Sequence, residues 1–221
     1  MIERYFMEGV RFAWTMPQAV ESGVNRDGAI VDSIRAASPM TYIGLSDKVA
    51  PQLMTIPISS FGLQMRMAIN YDWCDFATGR TARKVIGGND ILTGPMSGCY
   101  ITRYTSGGAN YVGHVGTVGV PSVDAQVKRK FAEAMPQTAT GFNPFHAWQT
   151  DMTAMSQRHG KAMQFCALVT TGGDFYAIAM MPQGGNALNE WVCGGAKKVL
   201  PLSYASLRQK LGILTMGVRG S

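Results

Sequence analysis

The fold is decided by residues 89–117, which read N-D-I-L-T-G-P-M-S-G-C-Y-I-T-R-Y-T-S-G-G-A-N-Y-V-G-H-V-G-T. Two parts of this stretch, residues 99–104 and 111–115, are rich in aromatic and β-branched side chains, a composition typical of strands. Residues 105–110 between them contain two adjacent glycines, which is typical of a hairpin loop. We therefore predict two antiparallel strands joined by this loop.

The predicted hairpin carries a cysteine and a histidine. Cys99 stands at the head of the first strand, and His114 stands near the far end of the second. Residues equidistant from a hairpin turn lie opposite each other, so we expect these two residues to be close. A thiol with a pKa near ~8.5 is mostly protonated at neutral pH, and an imidazole within hydrogen-bond reach can accept its proton. The pair is a candidate nucleophile and base if the strand register places both on one face.

Glycines surround both residues. Gly98 precedes the cysteine, and Gly113 and Gly116 flank the histidine, which leaves the backbone bare where a substrate could approach. The backbone N–H groups of the turn at Ser97 and Gly98 could also form an oxyanion hole. We therefore assign Ser97 and Gly98 to a substrate and oxyanion region.

Ordinary packing is the alternative explanation for both residues. Cysteine is among the residue types most often buried, and a histidine in a strand is often only half-buried. A single Cys-His spacing occurs by chance in many chains. On spacing alone, ordinary packing is the better explanation.

A family resemblance changes that balance. The tetrapeptide Met96-Ser97-Gly98-Cys99 resembles the Leu-Ser-Gly-Cys signature of the cysteine-dependent protein glutamine deamidases, typified by the cytotoxic necrotizing factor catalytic domain and the Burkholderia lethal factor. His114 stands at the cysteine-to-histidine distance of the necrotizing factors and is followed by a similar Gly-Thr pair. Thr93, six positions before Cys99, stands where the lethal factor and the chemotaxis receptor deamidases carry the threonine of their Cys-His-Thr site. The resemblance covers about thirty residues and has methionine in place of the leucine, a change that conserves volume.

The resemblance implies a function. Cys99, His114 and Thr93 would be catalytic residues of a deamidase that converts a target-protein glutamine to glutamate through a thioester, with no cofactor and no metal. It also implies that the acyl group can pass to an amine in a transglutaminase side reaction. The same resemblance implies a bacterial toxin or effector whose partner is a target protein, such as a host protein.

Composition is consistent with one folded unit. The chain has 221 residues, of which 46% are hydrophobic and 15% charged, so we expect residues 1–221 to form a single catalytic domain with one core. The formal charge is +6. We interpret the basic clusters at 128–130 and 197–198 as solvated faces rather than a nucleic-acid site. A positive surface could steer the protein to an acidic protein partner.

Localisation follows from what the sequence lacks. The first residues contain no apolar run of the length of a secretory signal, and no segment has the length of a membrane span. The four cysteines, at positions 74, 99, 166 and 193, form no C-x-x-C pair, which argues against zinc and against disulfides. We expect a soluble protein of the cytoplasm, or one delivered into another cell without a cleaved signal.

The remaining elements favour an α+β fold, an antiparallel-rich β-sandwich or mixed sheet flanked by helices, which the resemblance also implies. We predict helical turns within residues 1–22 and helices at 29–37, 123–135 with a Ser122 cap, 145–159, and 203–212 with a Ser203 cap. Strands are predicted at 63–71, 164–170, 174–181 and 190–193, with 164–181 forming a central hairpin around Gly172-Gly173. Cys166 is then a core residue.

Three alternatives stay open. The aromatic and acidic segment 71–76 is either a substrate rim or an aromatic plug under a loop, and we favour the plug because Trp and Tyr bury large areas. His146 and His159 are other bases in principle, but we place them on a helix surface. The protein could also be a cysteine peptidase with the same Cys-His pair, or a binding module without catalysis.

Overall fold

The computed structural model describes residues 2–21, 26–36, 40–45, 67–160, 162–182 and 190–212. Within these ranges the chain has a mixed α+β fold, as predicted, with two mostly antiparallel sheets and helices packed beside them.

The described elements are numbered in chain order. The strands are β1 (Val10–Trp14), β2 (Ile30–Asp32), β3 (Met40–Leu45), β4 (Met67–Ile69), β5 (Asp72–Trp73), β6 (Thr81–Val85), β7 (Ile91–Met96), β8 (Tyr100–Ser106), β9 (Ala109–Val115), β10 (Thr140–Phe142), β11 (Gln164–Val169), β12 (Phe175–Pro182) and β13 (Glu190–Val199). The helices are α1 (Pro121–Ala134), α2 (Pro144–Trp148), α3 (Met152–His159) and α4 (Tyr204–Lys210), and a 3-10 turn at Glu3–Tyr5 precedes β1.

The two sheets stack around a shared apolar core. The eight-stranded sheet has the order β4-β3-β1-β13-β12-β11-β7-β5, and the five-stranded sheet has the order β10-β8-β9-β6-β2. Apolar side chains of both sheets meet between them, among them Ile91, Phe165 and Ala177 from the larger sheet and Ile101 and Val112 from the smaller. Helices α1 and α4 cover the outer face of the smaller sheet.

Both predicted hairpins are confirmed. Strands β8 and β9 pair antiparallel, with Ser106 opposite Ala109. Their turn is the two residues Gly107 and Gly108, whose φ angles of 57° and 79° lie in the left-handed region that glycine enters without strain. The loop is therefore shorter than predicted. Strands β11 and β12 form the second hairpin at the centre of the larger sheet, with Cys166 buried in the core.

Two N-terminal predictions differ from the structure. Of the helical turns predicted within residues 1–22, one is present, the 3-10 turn at Glu3–Tyr5, whereas residues 10–14 form a strand in which the buried Val10, Phe12 and Trp14 alternate with half-buried residues. The predicted helix at 29–37 is instead the edge strand β2, which pairs parallel with β6. This pairing joins residues about fifty positions apart, so no local pattern encodes it. Of the strand predicted at 63–71, residues 63–66 lie outside the described residues, and within the described part Met67–Ile69 forms β4.

The other three helix predictions, at 123–135, 145–159 and 203–212, hold with changed ends. Helix α1 begins at Pro121, and Ser122 is not its cap; the Asp124 carboxylate instead accepts the N–H groups of Val118 and Gly119. The helix predicted at 145–159 is two helices, α2 and α3. Ser203 caps α4 as predicted, accepting the Ser206 N–H. The strand predicted at 190–193 extends to Val199.

Candidate active site

The predicted site lies where the chain passes from one sheet to the other. Strand β7 belongs to the larger sheet and ends at Met96, whereas β8 belongs to the smaller sheet and begins at Tyr100. Residues 97–99 make this crossing. Thr93 on β7 and His114 on β9 therefore face each other from different sheets.

The register of β8 and β9 places Cys99 and His114 on the same side. His114 is directly opposite Ile101, and cross-strand partners point to one face. Cys99 lies two residues before Ile101 and packs with it in the core between the sheets. Tyr100 and Val115 point the other way, into the cluster under α1. The condition that both side chains share a face is met.

His114 is held by a hydrogen bond from the opposite sheet. Its Nδ1 lies 2.6 Å from Thr93 Oγ1, and both side chains are completely buried. The other ring nitrogen, Nε2, is buried and has no hydrogen-bond partner among the residues that the structure describes. When Nδ1 carries the ring proton and donates to Thr93, Nε2 keeps a free lone pair that can accept a proton. Burial lowers the pKa of His114 to about 3, so the imidazole is neutral at physiological pH.

An aromatic ring covers the imidazole. Phe76 stacks on His114 with ring centroids 5.1 Å apart and planes 17° from parallel. The phenyl ring also lines the neighbouring cavity, which His114 and Thr93 do not reach. Phe76 therefore separates the face of the imidazole from the cavity and restricts rotation of the ring.

Cys99 is bound to Thr117 rather than to His114. Its Sγ lies 3.4 Å from Thr117 Oγ1 and 3.8 Å from the Thr117 carbonyl oxygen. No hydrogen bond joins Sγ to His114, consistent with the unpaired Nε2. Cys99 is only 2% exposed. Burial raises the pKa of the Cys99 thiol, and hydrogen bonding with the side chain and backbone of Thr117 partly opposes that rise.

A cavity of about 630 Å³ opens over the cysteine. Ser97, Gly98 and Cys99 line it, together with Thr117. Its other walls are largely apolar and include Phe76, Met96, Phe145, Met152, Met163 and Phe165. Thus the thiol borders a space large enough for a substrate side chain, while His114 and Thr93 lie behind it.

The glycines near the site serve packing more than substrate access. A Cβ at Gly113 would lie 2.6 Å from Thr102 Oγ1, and one at Gly116 would lie 2.2 Å from the Ala77 carbonyl oxygen. Only Gly98 of the three borders the cavity, and a Cβ there would lie 2.9 Å from Thr117 Oγ1. The interpretation of Gly113 and Gly116 as bare backbone for a substrate is therefore wrong.

The segment 71–76 is mainly the aromatic plug that we favoured. Tyr71 and Trp73 are buried beneath β1, where Trp14 Nε1 donates to the Tyr71 hydroxyl at 2.7 Å. Asp75 is also buried and accepts from Ser33 Oγ. Phe76 alone of this segment borders the cavity. No local sequence pattern predicts the contact of Phe76 with His114, because the two residues lie in segments that are far apart in the chain.

The other candidate groups are placed as follows. All four cysteines are free and buried. His146 is exposed on α2, and the side chain of His159 lies outside the described residues. Within the described ranges, no three His, Cys, Asp or Glu side chains converge in an arrangement that could hold a metal ion. None of the helices in the described part of the chain is long and apolar enough to cross a membrane.

Comparisons with protein-family models, with curated proteins and with solved structures found no match to this chain. The function is therefore argued from the geometry of the site.

The neutral state of His114 makes stability depend on pH. Its folded-state pKa of about 3 lies below the ordinary value of 6.5, so the unfolded chain takes up the extra proton first as pH falls. Stability from this residue is then present above pH 6.5 and is lost on acidification toward pH 3. We expect the free energy of unfolding to drop by about 2 kcal/mol between about pH 7 and about pH 5. Urea unfolding titrations at the two pH values measure this free energy.

A matched pair of variants isolates this contribution. His114→Gln removes the titrating group and should remove that part of the pH dependence. His146→Gln changes an exposed histidine and should keep the wild-type slope. An unchanged slope in the His114→Gln protein would show that another group titrates.

Proposed function

We propose that the protein is a thiol hydrolase that deamidates a glutamine side chain on a target protein. The observation that carries the proposal is the hydrogen bond between Thr93 Oγ1 and His114 Nδ1 at 2.6 Å. This bond orients the imidazole and leaves Nε2 unpaired on the face of the sheet that also carries Cys99. A nucleophile, a base and a third group that orients the base are the parts of a catalytic triad. The resemblance of residues 93–117 to glutamine deamidases supports the same reaction.

The reaction proceeds in two steps. His114 Nε2 accepts the thiol proton of Cys99, and Sγ attacks the carbon of the glutamine carboxamide. The imidazolium returns the proton to the departing nitrogen, which leaves as ammonia, and a thioester remains on Cys99. Water then attacks the thioester with His114 as base. The products are glutamate and the free thiol, so the net change is glutamine plus water to glutamate plus ammonia.

The free protein lacks a hydrogen bond between the thiol and the imidazole. In unliganded enzymes such contacts are often long and tighten only when substrate binds. We propose that a carboxamide in the cavity brings Sγ toward Nε2 and displaces water from the site. The N–H groups at Ser97 and Gly98 are the proposed donors to the oxyanion, since both residues line the same cavity.

A proteome-wide measurement tests the proposal. Purified protein is added to a cell lysate, the Cys99→Ser variant is added to a parallel lysate, and peptides are compared by mass spectrometry. We expect specific glutamines to gain about one dalton only with the wild-type protein, since deamidation replaces an amide with an acid. New peptide termini would favour a cysteine peptidase. No Cys99-dependent change in lysates that include host cells would favour a binding module.

The orienting bond of His114 makes its own prediction. Thr93→Val keeps the shape of the side chain but removes the hydroxyl, so Nδ1 loses its partner in a buried position. We expect kcat/KM for deamidation to fall roughly 100-fold, because the imidazole loses its fixed orientation. Thr93→Ser keeps the hydroxyl and should retain most of the activity. Equal activity of the valine and wild-type proteins would remove Thr93 from the proposed site.

The target and its location are also proposals. We propose that the target is a protein of another cell and that the chain acts as a bacterial effector, because this is what the deamidase resemblance implies. Transfer of the acyl group to an amine is a side reaction of the same thioester. Repeating the lysate experiment with a primary amine added would report it as a mass gain at glutamine that depends on the amine.

A further inference from the structure

The thiol of Cys99 has a hydroxyl partner that sequence reasoning did not assign. Thr117 follows β9 and lines the cavity, with its Oγ1 3.4 Å from Cys99 Sγ. Both side chains are buried, at 2% and 8% exposure. The hydroxyl therefore touches the atom that would react.

The Thr117 hydroxyl lies next to Gly98, where the absence of a side chain leaves room for it. A Cβ at Gly98 would lie 2.9 Å from Thr117 Oγ1, closer than carbon and oxygen atoms pack without a shift. Any larger residue at position 98 would force the hydroxyl to shift from its present position beside the sulfur. The absence of a side chain at Gly98 thus preserves the contact between Thr117 and Cys99.

We infer that Thr117 is a further catalytic residue, whose hydroxyl donates a hydrogen bond to the Cys99 thiolate and holds the sulfur in place for attack. In the resting protein the S–H group can donate to the Thr117 carbonyl oxygen, 3.8 Å away. When the proton leaves, the sulfur becomes an acceptor only, and the Thr117 hydroxyl is the donor already in contact. Hydrogen bonds to an ionised partner are about twice as strong as neutral ones.

The surroundings of the thiol leave this role to Thr117. Burial raises the pKa of Cys99, whereas the Thr117 side chain opposes that rise. Helix α1 presents two groups of opposite charge, Asp124 and Lys128, whose effects on the thiol oppose each other. On β9, His114 is neutral. A hydroxyl donor is thus the group in direct contact that favours the thiolate.

Alkylation of the thiol tests the inference. Iodoacetamide reacts with the thiolate, so its rate at Cys99, followed over pH by mass spectrometry of the Cys99 peptide, reports thiol ionisation. We expect Thr117→Val to move the midpoint of the pH profile upward and to slow labelling about tenfold at a fixed pH below it. Thr117→Ser keeps the donor and should follow the wild-type profile. Cys99 borders the cavity, whereas Cys74, Cys166 and Cys193 do not line it, so these three buried thiols are internal controls that stay unlabelled in the folded protein.

A second variant tests the same inference if Thr117→Val does not fold. Gly98→Ala retains the threonine but displaces its hydroxyl, and should shift the profile in the same direction. A wild-type profile for Thr117→Val, or an equal shift for Thr117→Ser, would overturn the role of the hydroxyl.

The inference rests on the proposed function in one respect, which is that Cys99 is the nucleophile. Alkylation requires no substrate, so the two can fail separately. A Thr117-dependent thiol without any change of glutamine to glutamate would support the inference and overturn deamidation alone.

Discussion

Cys99→Ser protein is expected to deamidate a purified target at least about 10³-fold more slowly than wild type, because the loss of a nucleophile removes the covalent route. A serine hydroxyl is a far weaker acid than a thiol, so with the same base it forms the attacking anion far less readily. The measurement is kcat/KM from the conversion of glutamine to glutamate, followed by mass spectrometry.

Cys193→Ser is the matched control for this variant. Cys193 is as buried as Cys99 but packs on the opposite face of the larger sheet, away from the cavity. Its Sγ accepts the Gly195 N–H at 3.2 Å, a bond that a serine oxygen can also accept. We expect this variant to keep wild-type activity. Full deamidase activity in the Cys99→Ser protein would show that Cys99 is not the nucleophile.

Gly116→Ala is expected to lower the free energy of unfolding by about 3 kcal/mol or more, the upper range for overpacking a buried position. The new Cβ would lie 2.2 Å from the Ala77 carbonyl oxygen and 2.8 Å from that of Arg80. Both contacts are with backbone, which cannot rotate away as a side chain can. The same segment is bonded to Gly116, whose N–H donates to Arg80 and whose carbonyl accepts from Gly79.

Urea unfolding measures this effect, with Gly88→Ala as the control. A Cβ at Gly88 would meet no atom within 4 Å, so its free energy of unfolding should change by less than about 0.5 kcal/mol. The strain at Gly116 also falls next to Thr117, so we expect the thiol environment to change in any Gly116→Ala protein that folds. Equal stability of the two variants would show that the backbone of residues 77–80 moves to accommodate the new Cβ without a measurable loss of stability.

The hairpin of β8 and β9 shows which features local sequence patterns predict. The β-branched and aromatic runs at 99–104 and 111–115 predicted both strands, and the two glycines between them predicted the turn. The register could not be chosen from the predicted six-residue loop. The register is fixed by the turn, which consists of Gly107 and Gly108 and places Ile101 opposite His114.

The failed predictions share a physical cause. Residues 29–37 were predicted as a helix from local composition, but Ile30–Asp32 is an edge strand because it pairs with a distant strand, β6. The contact of Phe76 with His114 and the contact of Thr117 with Cys99 were also missed. Each depends on the packing of separate segments, which no periodicity records.

By itself, the sequence determined the α+β class, the two hairpins, and the identity of Cys99, His114 and Thr93 as candidates. The class and the hairpins follow from short-range properties, since strand alternation and turn geometry act over a few residues. Cys99 and His114 are candidates because the hairpin brings them together, and Thr93 is a candidate because of the resemblance to glutamine deamidases. Only the tertiary structure decided that Thr93 bonds His114 across the two sheets, that Nε2 stays unpaired, and that the thiol rests on Thr117. Burial and hydrogen-bond partners depend on how distant segments pack, and they decide the protonation of the site.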